Sequence, residues 1–303
     1  MAYASILNLY KDKTILIFKE VYALEKVHGS SAHVSYKRAL GKLSYFAGGT
    51  SQKVFEDIFH SDTLLEAFSA LGHDEVTVYG EAYGGKCQKM STTYGPNLRF
   101  VAFDVLVGET WLSVPAAAEV VQKLGLEFVH YVMIPATVEA LNAERDADSV
   151  QAIRNGCGSG KMREGIVIRP PVEVRLNNGQ RICAKHKRAE FSETKTPRDV
   201  DPIDASKALV LSEAEEVADE WVTGERLRHV LDHLKADGVL DDLHPDITNT
   251  PHVIRAMLED VRREGDGEIV WSKEVERAIK SATSKMFKGL VTTIGSENEK
   301  TRP

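Results

Sequence analysis

Lys26 is the residue with the clearest potential for chemistry, because it ends an apolar run and lies just before a turn glycine in Glu25-Lys26-Val27-His28-Gly29. A lysine amine in such a position is placed to act as a nucleophile rather than as a solvated charge. Short patterns of this kind also occur by chance, and an ordinary surface lysine at a strand end is the structural alternative. The motif therefore needs partners elsewhere in the chain.

Four further segments with carboxylates, an aromatic ring or paired lysines follow in order. Taken singly, each has a structural explanation: Glu81 could end a strand before a Gly-Gly turn, and Phe103 could be a core ring. The paired lysines of the last segment could point into water from an edge strand. Together the groups make sense as one active site. The segments are Gly80-Glu81-Ala82-Tyr83-Gly84-Gly85, Phe103-Asp104-Val105, Glu164-Gly165-Ile166-Val167-Ile168 and Lys185-His186-Lys187.

The order of these five segments resembles the covalent nucleotidyltransferase superfamily of ATP-dependent ligases and capping enzymes. His28 narrows the resemblance to the RNA ligase 2 family, which includes bacteriophage RNA ligases and the trypanosome RNA-editing ligases. DNA ligases and capping enzymes usually carry aspartate at that place. The stretches from Gly80 to Lys89 and from Leu176 to Arg181 are similar to the same family. The resemblance covers most of residues 15–195.

The resemblance implies a role for each matched residue. Lys26 attacks the α-phosphorus of ATP and carries AMP covalently, and Lys185 and Lys187 stabilise charge on the transferred phosphate. Glu164 binds Mg²⁺ or Mn²⁺ or orients Lys26, since hard cations prefer carboxylate and phosphate oxygens. His28 acts in the later steps. The expected nucleotide contacts are Glu25, Lys26, Val27, Glu81 on a ribose hydroxyl, Phe103 stacked on adenine, Glu164, Arg169, Lys185 and Lys187.

Two positions depart from the family pattern. Ser31 stands where the family usually has asparagine, so a contact made by that amide must be shorter or differently bonded. The family arginine is missing from the stretch Phe46 to Ser51. Either the Gly48-Gly49 turn binds phosphate through backbone N–H groups, or Arg38 or Lys53 substitutes.

The apolar pattern changes character near residue 200. Before it, short runs rich in β-branched and aromatic residues, separated by turns such as Asn178-Gly179, indicate a largely antiparallel sheet with helical insertions. This pattern predicts an α+β fold with one domain over residues 1–200 and a small all-α domain over residues 206–303. The resemblance implies that the first is a nucleotidyltransferase (adenylyltransferase) domain. The predicted strands include Thr14 to Phe18, Ala32 to Tyr36, Val76 to Tyr79, Phe100 to Val107 and Ile166 to Ile168, and the inserted helices cover Ser51 to Leu71 and Val114 to Leu124.

Helical periodicity governs the C-terminal part. Thr250-Pro251 has the residue types of an N-cap and a first helical position. No run of alternating strands follows residue 200, whereas DNA ligases and capping enzymes generally append a β-barrel. Val222-Thr223-Gly224-Glu225-Arg226-Leu227 is the segment of this part most similar to the RNA ligase 2 family. The apolar faces are formed by Leu227, Val230, Leu231 and Leu234, by Ile254, Met257, Leu258 and Val261, and by Val275, Ile279, Ala282 and Met286.

Composition sets limits on the environment and the partners. The 303 residues, 43% of them hydrophobic, can bury a core and allow two domains. Cys87, Cys157 and Cys183 form no paired framework, and no apolar run of about 18 residues is present, so a soluble protein of the reducing cytoplasm is expected. The formal net charge of −7 opposes nucleic-acid binding at long range, but basic residues dominate between Arg181 and Arg198.

The leading expectation is an ATP-dependent RNA ligase that joins a 3′-hydroxyl to a 5′-phosphate through lysyl-AMP and an adenylylated RNA end. Its expected partners are RNA ends, with a nicked duplex favoured, and a monomer is the expected state. Two alternatives remain at this point: a DNA ligase or capping-type nucleotidyltransferase, and a non-catalytic protein that binds RNA or nucleotide. Five basic residues could contact RNA phosphates or form a solvated helix face: Lys273, Arg277, Lys280, Lys285 and Lys288.

Overall fold

The computed structural model describes residues 3–196, 200, 214–240 and 246–300. These residues divide into two compact units: Tyr3–Arg188 form the first, and the described residues from Ala189 onward belong to the second. The expected domain bounds of 1–200 and 206–303 stay a prediction, because residues 197–213 lie outside the described part of the chain apart from Val200.

The first unit combines antiparallel strands with short helices, which confirms the predicted α+β class. Its strands are β1 (Glu20–Lys26), β2 (Ser30–Lys37), β3 (Lys42–Ala47), β4 (Glu75–Gly84), β5 (Leu98–Val107), β6 (Thr110–Trp111), β7 (Tyr131–Pro135), β8 (Gly165–Arg169) and β9 (Ala184–Lys187). Its helices are α1 (Gln52–Glu56), α2 (Ser61–Ala70), α3 (Ser91–Tyr94), α4 (Val114–Lys123), α5 (Val138–Arg145) and α6 (Val150–Arg154).

The strands form two antiparallel sheets. One has the order β7-β1-β8-β9, and the other has the order β3-β2-β4-β5-β6. A single tight connection, Val27 to Gly29, carries the chain from β1 in the first sheet to β2 in the second. The lysine motif therefore lies where the two sheets are joined.

Apolar clusters hold the sheets in place. One cluster covers β2, β4 and β5 with rings such as Phe55 and Phe68 from the helices after β3, and both rings are fully buried. A second cluster packs Leu24 and Val27 against Tyr83 and other residues of the second sheet. Burial of apolar surface stabilises such contacts by roughly 25 cal/mol per Å². The second cluster fixes the strand that presents Lys26.

Gly165 allows three strands to approach closely at the end of β1. It pairs with Lys26 on one side and with Lys187 on the other. A Cβ atom built on Gly165 would lie 2.2 Å from the carbonyl oxygen of His186 and 2.8 Å from the Cα of Lys187, and its φ is +155°. Only glycine fits this position without a shift of the β9 backbone.

The second unit is helical where it is described. Thr223 caps α8 by accepting a hydrogen bond from the Arg226 amide at 3.2 Å. The predicted apolar residues Leu227, Val230, Leu231 and Leu234 are buried, as are Val275 and Ile279. The helices are α7 (Ala214–Trp221), α8 (Gly224–Ala236), α9 (Thr250–Glu264) and α10 (Lys273–Lys300), and none of the described helices of the chain has the length and apolarity needed to cross a membrane.

Two predicted elements need correction. Thr14 to Phe18 was expected as a strand, but Thr14–Ile17 form a 3₁₀ turn, with Ile15 buried and Ile17 72% exposed. The apolar run has only one residue to bury, and the strand begins later, at Glu20. Thr250 was expected as the N-cap of its helix, but the cap is Asn249, so Thr250 starts the helix one residue earlier. The other predicted strands and inserted helices are confirmed.

We expect Gly165→Ala to lower the free energy of unfolding by about 3 kcal/mol or more, because a methyl group meets the β9 backbone. Gly108→Ala is the matched control, since Gly108 also has a positive φ of +57° but has no atom within 4 Å of its Cβ position. The control is expected to cost about 1–2 kcal/mol from backbone strain alone. Urea unfolding of both variants measures the difference, and equal losses would contradict the close contact.

Candidate active site

Lys26, Glu164 and Lys187 form the centre of the site. Lys26 and Lys187 both pair with Gly165 across neighbouring strands, so their side chains share one face of the sheet. The Glu164 carboxylate lies between them: Oε2 is 3.1 Å from Lys26 Nζ, and Oε1 is 2.8 Å from Lys187 Nζ. Glu164 is 5% exposed and Lys26 is 23% exposed, so the Lys26 side chain is partly exposed while its partner is buried. The structure therefore brings these three residues together, and their catalytic roles stay predictions.

His28 joins the same carboxylate from the loop between β1 and β2. Its Nδ1 lies 3.3 Å from Glu164 Oε2, and since an ionised carboxylate only accepts, the ring nitrogen donates. The backbone N–H of His28 donates to the Tyr94 hydroxyl at 3.2 Å. Burial raises the pKa of Tyr94 well above its usual value, so its hydroxyl stays protonated and the loop is held by a neutral group.

The charge of Glu164 is set by two opposing effects. Burial raises the pKa of its carboxyl group, but the nearby charges of Lys187 and Lys26 and the hydrogen bond from His28 outweigh burial. The pKa is therefore held well below the usual value, and the group is ionised at neutral pH. A single buried carboxylate thus neutralises part of a locally positive site.

Lys185 lies two residues before Lys187 on β9, so the two side chains point to the same side of the sheet. Lys185 is 4% exposed, which is unusual for lysine. Its backbone is held by the chain near the N-terminus: its N–H donates to Leu7 at 2.9 Å, and its carbonyl accepts from Leu9 at 2.8 Å. Both expected phosphate-binding lysines are therefore on one face of β9.

Glu81 is placed beside the lysine motif by close packing at Gly29. A Cβ atom on Gly29 would lie 2.9 Å from Cγ of Glu81 and 2.3 Å from the carbonyl oxygen of Ala82. Ser31, which replaces the family asparagine, pairs directly with Glu81 across β2 and β4. The serine is thus next to the expected ribose-binding carboxylate, and its short side chain leaves more room there than asparagine would.

Phe103 and Val27 belong to the packing around the motif. Phe103 is partly buried against the cluster that contains Leu24 and Val27. Val27 itself is 4% exposed, so its side chain is part of the core. Their expected contacts with a nucleotide stay predictions, and in the case of Val27 the side chain is directed into the core.

Glu25 has another partner than the expected nucleotide. Its carboxylate accepts from the Ser149 hydroxyl at 2.5 Å, from Val150 N–H at 2.9 Å and from Gln151 N–H at 3.2 Å. These donors form the start of α6, where unpaired N–H groups favour an anion. Since neighbouring residues of a strand point to opposite faces, Glu25 turns away as Lys26 turns toward the site. The geometry gives Glu25 the role of anchoring β1 to α6.

Arg169 was also expected near the nucleotide, but its guanidinium is bound by protein oxygens. Nε donates to Glu173 at 3.0 Å, Nη1 to Asp104 at 2.9 Å and Nη2 to the carbonyl of Leu112 at 2.6 Å. The side chain is 2% exposed. Arg169 is held in this position because the buried charge of Asp104 needs a partner. A nucleotide contact by Arg169 would require these hydrogen bonds to rearrange.

Three groups were expected to substitute for the missing family arginine, and the structure shows where each lies. The Gly48 amide donates to the carbonyl of Ser31 at 3.0 Å, so it is engaged within the protein. Arg38 follows the end of β2 remote from Ser31 and pairs with Asp74 at 3.4 Å. Lys53 lies in the first turn of α1 and is exposed. Of these three candidates, Arg38 follows the end of β2 that is farther from Lys26.

Sequence reasoning missed two supporting groups. Ser149 both caps α6 and donates to Glu25, and a serine before an apolar helical run was the available signal. Tyr94 contacts the amide of His28 from a segment 66 residues away, which no local pattern could indicate. These groups position the motif residues and do not add new charge to the site.

The fit of the site to a divalent cation depends on the carboxylates near the lysines. Among the described residues, no cluster of three or more His, Cys, Asp or Glu side chains could hold a metal ion. Mg²⁺ and Mn²⁺ are often bound by one or two carboxylates together with phosphate oxygens of a substrate. Glu164 supplies one such carboxylate next to the lysines, so a cation held jointly with phosphates fits this site.

We expect Glu164→Gln to destabilise the protein by about 1–3 kcal/mol at neutral pH, because two lysines lose a buried partner. The depressed pKa of Glu164 means that this stability is present above the unfolded value of about 4.3 and is lost as the pH falls through the folded value. The difference between wild type and variant should therefore shrink in acid.

Unfolding curves at several pH values measure this difference. Glu75→Gln serves as the control, since Glu75 pairs with Lys37 at 3.3 Å on the surface and both side chains are more than half exposed. That change should cost little at any pH. A Glu164→Gln penalty that stays constant down to pH about 3 would contradict the assigned charge state.

Known RNA ligases are similar to this chain. A family model described as RNA ligase matches residues 19–187. No curated protein matches the chain. Three solved structures of Naegleria gruberi RNA ligase are similar at 15% identity: one with PPi (TM-score 0.49), one of a lysine mutant with AMP and Mn (0.49) and one of a lysine mutant in the apo form (0.50).

The structural matches cover only part of each protein. Each structural match covers 63% of this chain, and the chain spans 57% of the Naegleria ligase. The likeness at a TM-score of 0.50 and 15% identity shows the fold alone. The family match spans more than half of the 303 residues and includes all five segments that form or surround the site. The chain belongs to the RNA ligase family.

Proposed function

We propose that the chain is an ATP-dependent RNA ligase that acts through an AMP group bound covalently to Lys26. The observation that carries the proposal is the buried Glu164 carboxylate between Lys26 and Lys187. A protein that only bound nucleotide or RNA would need no lysine nucleophile held beside such partners. Membership of the RNA ligase family supports the substrate class.

In the first step, Lys26 Nζ forms a bond to the α-phosphorus of ATP, the bond from that phosphorus to the bridging oxygen breaks, and pyrophosphate leaves. Before this attack, the Lys26 amine must lose a proton to solvent, and its ion pair with Glu164 must break. Lys187 and Lys185 lie on the face of the sheet from which Lys26 projects. The protein thus contributes positioning and electrostatics, which dominate phosphoryl transfer.

Each residue around Lys26 has a part in that step. Lys187 and Lys185 offer positive charge to the phosphate oxygens as negative charge develops on them. Glu164, released from Lys26, would hold a divalent cation together with phosphate oxygens. The cation, when bound, neutralises phosphate charge and orients the leaving group. Glu81 accepts from a ribose hydroxyl, and Phe103 stacks on the base.

The next two steps use the same groups. A 5′-phosphate oxygen of RNA attacks the phosphorus of the lysyl-AMP, which releases the Lys26 amine and forms an adenylylated end. A 3′-hydroxyl then attacks the 5′-phosphate, loses its proton and expels AMP. His28 hydrogen-bonds Glu164 at the edge of the site and is proposed to act in these steps.

A nicked RNA duplex is the proposed substrate, and the five basic residues on the exposed side of α10 are proposed to contact its phosphates. The domain predicted over residues 206–303 is proposed to serve this contact. A monomer in the cytoplasm is proposed, and the three free cysteines agree with a reducing compartment.

We expect wild-type protein incubated with ATP labelled at the α-phosphate and Mg²⁺ or Mn²⁺ to acquire label that acid releases, because a P–N bond to lysine is acid-labile. Lys26→Ala should lose the label completely, since no other amine has this position. Lys37→Ala is the matched control, because Lys37 is an exposed lysine on the next strand. Equal labelling of Lys26→Ala and wild type would contradict the assignment.

A panel of ends separates the proposed function from its alternatives. We expect sealing of nicked RNA duplexes to be fastest, with slower joining of single-stranded RNA ends and little sealing of nicked DNA. Labelling of the protein with GTP should be weak. Strong labelling with GTP would instead support the capping-enzyme alternative. Efficient sealing of nicked DNA in preference to RNA would instead support the DNA ligase alternative. Gel analysis of 5′-labelled strands measures each rate.

A further inference from the structure

The chain near the N-terminus touches the proposed nucleotide site at two separate places. Residues 3–9 precede the first motif and carry none of the roles described above. They nevertheless contact the strand that bears Lys185 and the strand that bears Phe103. We call residues 3–9 the N-terminal brace.

The first contact is with the backbone of Lys185. β9 would otherwise be an edge strand of its sheet. Asn8 forms a parallel bridge with Lys185, in which Leu7 accepts from the Lys185 N–H at 2.9 Å and the Leu9 N–H donates to the Lys185 carbonyl at 2.8 Å. Leu9 is fully buried, which fixes this end of the brace. Both main-chain groups of a proposed phosphate-binding lysine therefore depend on the brace.

The second contact is made by the side chain of Tyr3. Its hydroxyl donates to Asp104 Oδ2 at 2.8 Å and accepts from Arg181 Nη1 at 3.2 Å. Its ring lies edge-on to Phe103, with centroids 5.0 Å apart and an interplanar angle of 78°. Burial, and then the charge of Asp104, raises the pKa of Tyr3 well above its usual value, so the hydroxyl remains a donor.

Asp104 follows Phe103 directly, so the position of one constrains the other. The Asp104 carboxylate is fully buried and is bound by Arg169 at 2.9 Å and by Arg181 at 2.7 Å. These two arginines come from β8 and from the turn before β9, so Asp104 ties the second sheet to the first. Tyr3 completes this set and adds an edge-on contact between its ring and that of Phe103, an arrangement that aromatic pairs favour.

We propose that the N-terminal brace is a positioning element of the nucleotide site, with Tyr3 as its positioning residue at the base-binding end. The brace holds Phe103 against the base at one end and Lys185 against the phosphates at the other. The proposal rests on the proposed function. It assigns a role in ATP binding to a residue that lies 23 positions before the nucleophile.

The test compares Tyr3→Phe and Tyr3→Ala in the full-length chain, with the rate of Lys26 labelling measured over a range of ATP concentrations. Tyr3→Phe keeps the ring and loses the hydroxyl bonds, and we expect it to raise the KM for ATP about threefold or more with kcat little changed. Tyr3→Ala also loses the ring contact and should raise KM about tenfold. Tyr45→Phe is the control, because it too removes one hydroxyl that bonds a side chain, Ser61 at 3.0 Å, on β3.

A merely structural role would lower the fraction of active protein and leave KM unchanged. An unchanged KM in Tyr3→Phe, with wild type labelled normally, therefore overturns the positioning role. A lower KM in either variant also overturns it, since Tyr3 would then occupy space that the nucleotide needs. If Tyr3→Ala does not fold, Tyr3→Phe alone decides. If wild type itself takes no label, the proposed function fails, and this inference fails with it.

The Lys185 end of the brace has its own comparison. Leu9→Pro removes the N–H that donates to the Lys185 carbonyl, whereas Leu9→Ala keeps that donor and loses more packing. We expect kcat for labelling to fall about tenfold in Leu9→Pro and less than threefold in Leu9→Ala. A larger loss in Leu9→Ala would show that only packing matters and would overturn this half of the proposal.

Discussion

One buried carboxylate constrains the proposed site. Glu164 contacts Lys26, Lys187 and His28 within 3.3 Å, so the position of each of these groups depends on its charge. Burial raises the pKa of the carboxyl group, but the charges of Lys187 and Lys26 and the hydrogen bond from His28 lower it further, so the group is ionised. The same arrangement keeps the Lys26 amine paired when no nucleotide is bound. Entry of a phosphate that competes for the lysines, or of a cation that competes for the carboxylate, would release the amine for attack.

Small residues make this arrangement possible. Gly165 brings β1, β8 and β9 together so that Lys26 and Lys187 flank a position without a side chain. Gly29 lets Glu81 approach the loop that follows Lys26. Larger side chains at either position would separate the carboxylates from the lysines by the width of a side chain. The glycines of the motifs are therefore required by backbone contacts, in addition to any turn that they form.

Much of the fold could be predicted from the sequence, because most strands and helices have the apolar period that their burial requires. The run from Thr14 was misassigned since an apolar pattern does not say how many of its residues are buried. Within the site, the structure brings together Lys26, Glu164 and Lys187, which the sequence places in one proposed active site. Glu25 and Arg169 were expected at the nucleotide, but the start of α6 and the buried Asp104 bind them instead. Those partners lie far away in sequence, and no local pattern could indicate them.

The central claim is that ATP reacts with one specified amine. Mass spectrometry of peptides from the protein, after incubation with ATP and Mg²⁺ or Mn²⁺ under conditions that preserve P–N bonds, tests it most directly. The account predicts that one peptide gains the mass of a single AMP and that fragmentation places it on Lys26. An adduct on another residue, or none while the protein remains folded and seals RNA, would contradict it.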